Sequence, residues 1–172
     1  MLVYPKADVP HIVFTQRTET LSSHRGQIAL PGGRQDPTDH SLEATALRET
    51  NEELGIDVGE VEVWGKLEEV YVRVSNFLIT PYVGALPYAP TYEVNEAEVA
   101  RVIEVPVTTL RDPSIFREEE WRLGGALRRI QIYEYDSHVI WGATARVVEL
   151  FLSSDFAERA SRWKAPIQTQ TH

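Results

Sequence analysis

The sequence predicts an α/β fold, and three features carry that prediction. Short runs rich in β-branched and aromatic residues recur between turn residues, at 2–4, 12–15, 61–74, 77–85 and 99–105. A helix over about 41–54 stands among them, with capping residues at both ends. A second helical stretch begins near Trp141 and carries the apolar stripe Val147, Val148, Leu150, Phe151 and Leu152, which should pack on a sheet. Strands with helices before and after them build a layered α/β architecture.

In chain order, 2–4 and 12–15 flank a proline-containing connection and read as a hairpin. Residues 16–27 form a polar loop leading to a strand near 28–30. Beyond the first helix, 61–74 alternates well enough for one or two strands. The run 77–85 reads as a single strand, in which Pro81 argues for an edge position or a bulge, since proline cannot donate to a ladder. Proline and tyrosine crowd the loop at 86–92, a strand follows at 99–105, and 108–110 reads as a brief turn before Pro113. The charged stretch 117–122 starts a hairpin turning at Gly124-Gly125 and returning over 130–135. No internal repeat or linker is visible. One domain over residues 1–164 is therefore expected, with a polar, frayed tail over 165–172.

The composition narrows the function classes. A chain of 172 residues suffices for one sizeable core. The net charge of −9, with no basic stripe, argues against nucleic acid or an anionic membrane as a partner. An anionic small molecule stays possible, because a bound divalent ion dominates its local field. The absence of cysteine rules out disulfides, thiolate zinc sites and cysteine nucleophiles. No secretory leader and no apolar run long enough to span a bilayer is seen, so a cytoplasmic location is the default expectation.

The first helix concentrates the chemistry. Glu49 lies one turn from both Glu52 and Glu53, so three carboxylates crowd one side, with Arg48 among them. Leu42, Ala46, Leu47 and Leu54 form another side. Like charges at this spacing repel, and a hard divalent cation with oxygen ligands is the simplest offset. A solvated acidic face is the competing reading. The flanks favour a built site. Gly32-Gly33 permits a turn closed to most residues, Asp39 or Ser41 can cap the helix start, and Gly55 can end it.

Residues 48–56, RETNEELGI, resemble the REUxEExGU core of the Nudix box, U being a bulky apolar residue. Thr50 departs from the apolar position. His40, not a glutamate, stands eight residues before Arg48, so the loop carries one inserted residue, with Asp36 or Asp39 the nearest acids. Just upstream, Phe14-Thr15-Gln16-Arg17-Thr18, Leu21, His24, Gly26, Gln27, Ile28 and Leu30-Pro31-Gly32-Gly33 are similar to the LLTxRSxxLxxHxGxVxFPGG signature of the coenzyme A pyrophosphatases.

The resemblance implies the Nudix α/β/α sandwich with a mixed central sheet and a loop–helix–loop metal site. It also implies Mg2+ or Mn2+ and hydrolysis of a diphosphate. By resemblance Glu49 and Glu53 are metal ligands, Glu52 is a further ligand or the base, and Arg48 orients the carboxylates. A later acid completes such sites. Glu98 is favoured over Glu96 and Glu93, with Glu68 and Glu69 competing. Arg17, His24, Gly32 and Gly33 are expected to face the substrate, Arg17 gripping a phosphate. The expected substrate is coenzyme A or a derivative. The alternatives are other nucleoside diphosphate derivatives, nucleoside triphosphates, or a binding module without turnover. No partner beyond the small molecule is expected except a second copy, as a homodimer. The chain begins close to its first predicted strand, where coenzyme A pyrophosphatases commonly carry more sequence.

Overall fold

The computed structural model describes residues 1–18 and 26–163. Along the chain run β1 (Leu2–Lys6), β2 (Val9–Arg17), β3 (Ile28–Ala29), α1 (Leu42–Leu54), β4 (Glu62–Lys66), β5 (Val70–Val72), β6 (Phe77–Ile79), β7 (Tyr82–Ala85) and β8 (Val99–Pro106). Then follow α2 (Val107–Leu110), β9 (Phe116–Leu123), β10 (Ala126–Tyr135), β11 (His138–Trp141), α3 (Gly142–Leu152) and α4 (Asp155–Arg162).

The hairpin of β1 and β2 forms, but Pro5 and Pro10 lie opposite each other within the strands, and the connection is Ala7-Asp8, both at positive φ (50° and 61°), the turn geometry that matches strand twist. β8 lies along one edge of β2 from His11 to Arg17. A strand has only two edges, so β1, at the start of β2, and β3, at its end, share the other. β1 continues the sheet through a parallel pairing with β7, and β4 closes it. β9, β10 and β11 form a separate antiparallel sheet, and β5 with β6 a two-stranded ribbon.

Residues 77–85 are not one strand. Pro81 lies at the break, and the two halves go to different sheets: β6 pairs with β5, while β7 sits inside the central sheet between β1 and β4. Proline thus marks a switch between sheets, not an edge or a bulge within a strand. Three further elements differ from expectation. The turn at 108–110 is the short helix α2, β11 precedes the predicted helix, and α4 follows it. The expected tail at 165–172 lies outside the described residues. Among the described residues no helix is long and apolar enough to cross a membrane.

The central sheet is buried on both faces, because its side chains alternate and both sets are apolar. Val3, Ile12 and Phe14 point to one face, where they meet Val147, Val148 and Phe151 of α3 and Ala157 and Ala160 of α4. Leu2, Tyr4 and Val13 point to the other, against Leu54 at the end of α1, Ile56 and Leu86. Each of the valine, leucine, isoleucine and phenylalanine side chains here is worth about 1.5–3 kcal/mol when removed from water. The layers are helix, sheet, helix: an α/β/α sandwich.

α1 owes its limits to its caps. Ser41 Oγ accepts the Ala44 N–H at 3.0 Å, and Gly55 takes the left-handed conformation (φ 67°) with its N–H on the Asn51 carbonyl at 2.7 Å. The buried positions of α1 are Thr45, Glu53 and Leu54, whereas Leu42 is 44% exposed. A glutamate has taken a place that the apolar pattern would fill with a hydrophobe.

Candidate active site

Glu53 is the centre of the site. The residue is 3% exposed, and its Oε2 has no hydrogen-bond partner among the described residues. An unpartnered buried carboxylate oxygen is costly, and such groups point to a ligand or a catalytic role. Burial is the main reason its pKa is pushed up to about 7, with the negative charges of Glu49 and Glu98 adding to the rise. Arg17 and a backbone N–H from Gly32 pull the other way.

Three distant segments therefore converge on Glu53. Arg17 arrives at the end of β2, where the register against β8 shifts between Gln16 and Arg17. Such a bulge re-aims a side chain. Its backbone is tied to the segment before β3, by Arg17 N to Gln27 O at 3.0 Å and Gly26 N to Arg17 O at 3.2 Å. Its own Nε is buried and has no hydrogen-bond partner among the described residues. A buried guanidinium nitrogen and a buried carboxylate oxygen, both unsatisfied and electrostatically coupled, make a polar centre prepared for something absent from the bare chain.

Glu49 is held from two sides. Arg48 Nη2 donates to its Oε1 at 3.0 Å. On the other side stands Gly33, where an added Cβ would lie 2.6 Å from Glu49 Oε2 and nearer still to Oε1 and Cδ. Only glycine leaves room for the carboxylate here. Arg48 is itself anchored, with Nε and Nη2 on the two oxygens of Asp39, both at 3.0 Å, and Nη2 also on the Arg34 carbonyl at 3.1 Å. Asp39 further accepts the Asp36 N–H and the Thr45 hydroxyl, each at 2.9 Å. The Arg48 fork, with these hydrogen bonds, holds the Asp39 carboxyl well below the usual carboxylate range.

Asp39 thus takes the place of the early acid of the box, while Asp36 turns instead to Thr38. A signal for this was in the sequence. Five residues separate Gly33 from Asp39, the family's spacing from glycine to acid, so the inserted residue falls between Asp39 and Arg48.

Glu52 differs from Glu53 in its exposure. Its side chain is 51% exposed and accepts from Arg48 Nη1 at 2.7 Å. Thr50, in the apolar slot of the box, bonds back to the Ala46 carbonyl at 2.7 Å. Glu98 is carried by the segment 93–98, which is docked on the end of α1. Glu93 N donates to Leu54 O at 2.9 Å and Asn95 N to Glu53 O at 3.0 Å. Gly55 makes this docking possible: a Cβ there would lie 2.5 Å from Glu93 Cβ. Glu93 and Glu96 are exposed, as are Glu68 and Glu69, of which Glu69 accepts a hydrogen bond from Thr80. His24 lies outside the described residues.

Glu53, Glu49 and Glu98 are oxygen donors whose mutual repulsion is only partly offset, by Arg17 near Glu53 and by Arg48 on Glu49, and the chemistry of this set fits a hard divalent cation of the magnesium or manganese kind. No group of three or more His, Cys, Asp or Glu is drawn to ligating distance of one point among the described residues. The acids are neighbours in the bare chain without forming a closed cage.

Comparison with known proteins agrees with this geometry. The NUDIX domain profile matches residues 2–122. A Photorhabdus laumondii protein named "Uncharacterized Nudix hydrolase NudL" is 40% identical over 139 residues, covering 81% of this chain and 74% of the relative. The Yersinia enterocolitica protein of the same name is 39% identical over 139 residues, covering 81% and 71%. Among solved structures, a MutT protein from Methanosarcina mazei Go1 aligns with a TM-score of 0.53 at 18% identity, over 94% of this chain and 89% of that one. A Nudix hydrolase from M. smegmatis, RenU, gives a TM-score of 0.53 at 20% identity, over 63% and 68%. At these identities the structures speak for the fold alone. With a matching profile across most of its length, close relatives, and the box carboxylates on a capped helix, the chain belongs to the Nudix hydrolase family.

Proposed function

We propose that the protein hydrolyses the diphosphate of coenzyme A or a derivative, giving adenosine 3′,5′-bisphosphate and 4′-phosphopantetheine or its acyl form. The observation that carries this reading is the unsatisfied Arg17 guanidinium nitrogen beside the buried Glu53 carboxylate. Arg17 belongs to the upstream signature shared with coenzyme A pyrophosphatases, and its charge and fork suit a phosphate oxygen. His24, Gly32 and Gly33 of the same signature complete the substrate side.

Glu49 and Glu53 would hold a magnesium or manganese ion, which would supply charge neutralisation for the diphosphate and a more acidic water, while Glu52, expected as a further ligand, stays on Arg48. The chain's residues do the rest. Arg17 binds the phosphate group, the glycine turn lets the diphosphate approach the backbone, and Glu98 accepts the proton of the attacking water at its carboxylate. Arg48, fixed by Asp39, keeps Glu49 and Glu52 in place.

The test is product analysis after incubation with coenzyme A, ADP-ribose and a nucleoside triphosphate, each with magnesium, manganese or EDTA. Metal-dependent release of adenosine 3′,5′-bisphosphate, ahead of the other reactions, is the expected result. A preference for ADP-ribose or the triphosphate would overturn the substrate while keeping the chemistry. Tight binding without turnover would overturn the enzyme reading in favour of a binding module.

A further inference from the structure

The geometry points to Asn95 as a positioning residue that aims the Glu98 carboxylate at the catalytic centre, an inference that rests on the reading of Glu98 as part of that centre. Asn95 uses every polar group it has. Its N–H donates to the Glu53 carbonyl at 3.0 Å, and its carbonyl accepts the N–H groups of Glu98 at 3.0 Å and Val99 at 2.9 Å, where β8 begins. Its side-chain Oδ1 accepts the Ala97 N–H at 3.2 Å. Because a backbone amide can only donate, this bond fixes which end of the side chain is oxygen. The amino group is therefore turned to Glu98, with Nδ2 donating to Oε1 at 3.3 Å.

One residue thus ties the backbone of Glu53 to the carboxylate of Glu98. The same loop is braced from β2, where Thr18 N donates to Glu98 O at 3.0 Å and Thr18 Oγ1 to Ala97 O at 3.1 Å. These bonds fix the loop backbone but leave the Glu98 side chain to rotate. The Asn95 amide is what selects its direction, and a misdirected proton acceptor forfeits part of a catalytic contribution that commonly spans 10²–10⁴-fold.

Asn95→Asp separates this role from loop folding. Aspartate keeps the shape and can still accept the Ala97 N–H, as an Asx turn does. It loses the donor and sets a second carboxylate against Glu98. The experiment compares wild type, Asn95→Asp, Glu98→Gln and the double variant, using whichever diphosphate the wild type cleaves. It is paired with the NMR signal of the Asn95 side-chain amide, identified by its loss in Asn95→Asp.

In Asn95→Asp, kcat should fall by about tenfold or more with KM within about twofold. In the Glu98→Gln background the same change should cost nothing further, and Glu98→Gln alone should shift the Asn95 amide protons. Losses that multiply in the double variant, or an amide signal unmoved by Glu98→Gln, would overturn the assignment. Failure of the wild type on coenzyme A refutes the substrate reading alone. The amide signal still decides for or against Asn95 there, because it needs no turnover.

Discussion

Replacing Gly33 with alanine probes the site through a single methyl group. The backbone at Gly33 lies outside the left-handed region, so alanine is conformationally acceptable there, and the cost falls on the neighbour. The new Cβ would stand 2.6 Å from Glu49 Oε2, whereas real Cβ contacts essentially never fall under 3.0 Å. The atom struck is the far end of a flexible side chain, so the carboxylate retreats by about 0.5–1 Å and the fold survives. That retreat strains the 3.0 Å bond from Arg48 Nη2 to Glu49 Oε1. A displacement of this size at a reacting centre costs on the order of 10²-fold in rate, or about 2.7 kcal/mol of transition-state stabilisation. The assay is kcat and KM across a metal titration, with thermal melting alongside. The expected result is a hundredfold-order loss in kcat, a weaker apparent metal affinity and a nearly unchanged melting temperature. Wild-type kinetics in Gly33→Ala would refute the placement of Glu49 at the working end of the site.

Glu53→Gln should abolish turnover and, without divalent metal, stabilise the chain at pH 8. In the folded state burial raises the Glu53 pKa from 4.5 to about 7, so the native form keeps a proton that the unfolded form has released. Stability therefore falls as pH rises from about 4.5 to about 7, by up to about 3 kcal/mol, and glutamine removes that fall. Urea unfolding in EDTA at pH 4 and pH 8 measures it, and a variant less stable than wild type at pH 8 would contradict the sign. Tyr92→Phe should cost about 1–2 kcal/mol, because the Tyr92 hydroxyl bonds Tyr4 at 2.9 Å and Glu104 Oε1 at 3.1 Å in a half-buried network that Lys6 also joins. Equal urea midpoints for Tyr92→Phe and wild type would show the network to be neutral. Asp39→Asn should lower the melting temperature at neutral pH and have less effect in acid, since a carboxylate with a depressed pKa stabilises only while ionised. An undiminished difference below the usual carboxylate range would argue against the Arg48 pairing as the cause.

What the sequence made legible was local. Arg48, Glu49, Glu52 and Glu53 lie on one helix whose caps, Ser41 and Gly55, are nearest-neighbour chemistry, and the hairpins at Ala7-Asp8 and Gly124-Gly125 are likewise short-range. The parallel pairing of β1 with β7 joins residues some eighty positions apart, and nothing in residues 77–85 says that Pro81 divides two sheets. α4 escaped notice because its eight residues bury only two alanines, too faint an apolar stripe to register. At the site, the acid cluster was readable, but the different roles of its members were not. Glu52 and Glu53 are adjacent glutamates, and only the fold exposes one and buries the other. Asn95 carried no motif of its own. Its importance comes from meeting Glu53, forty-two positions earlier in the chain.

The two faces of the central sheet are unequally furnished, and that inequality has a thermal consequence. α3 and α4 are pinned by a broad apolar layer, while α1 contributes Leu54 to a small cluster completed by Leu2, Tyr4, Val13, Ile56 and Leu86. Local opening follows the weaker attachment. On warming, α1 should fray from its face while the opposite layer is still closed, so activity disappears below the temperature at which the sheet unfolds. Amide hydrogens of α1 should accordingly exchange sooner than those of α3 on the same molecule. A stabiliser of this protein's storage life would therefore be sought under α1 before anywhere else.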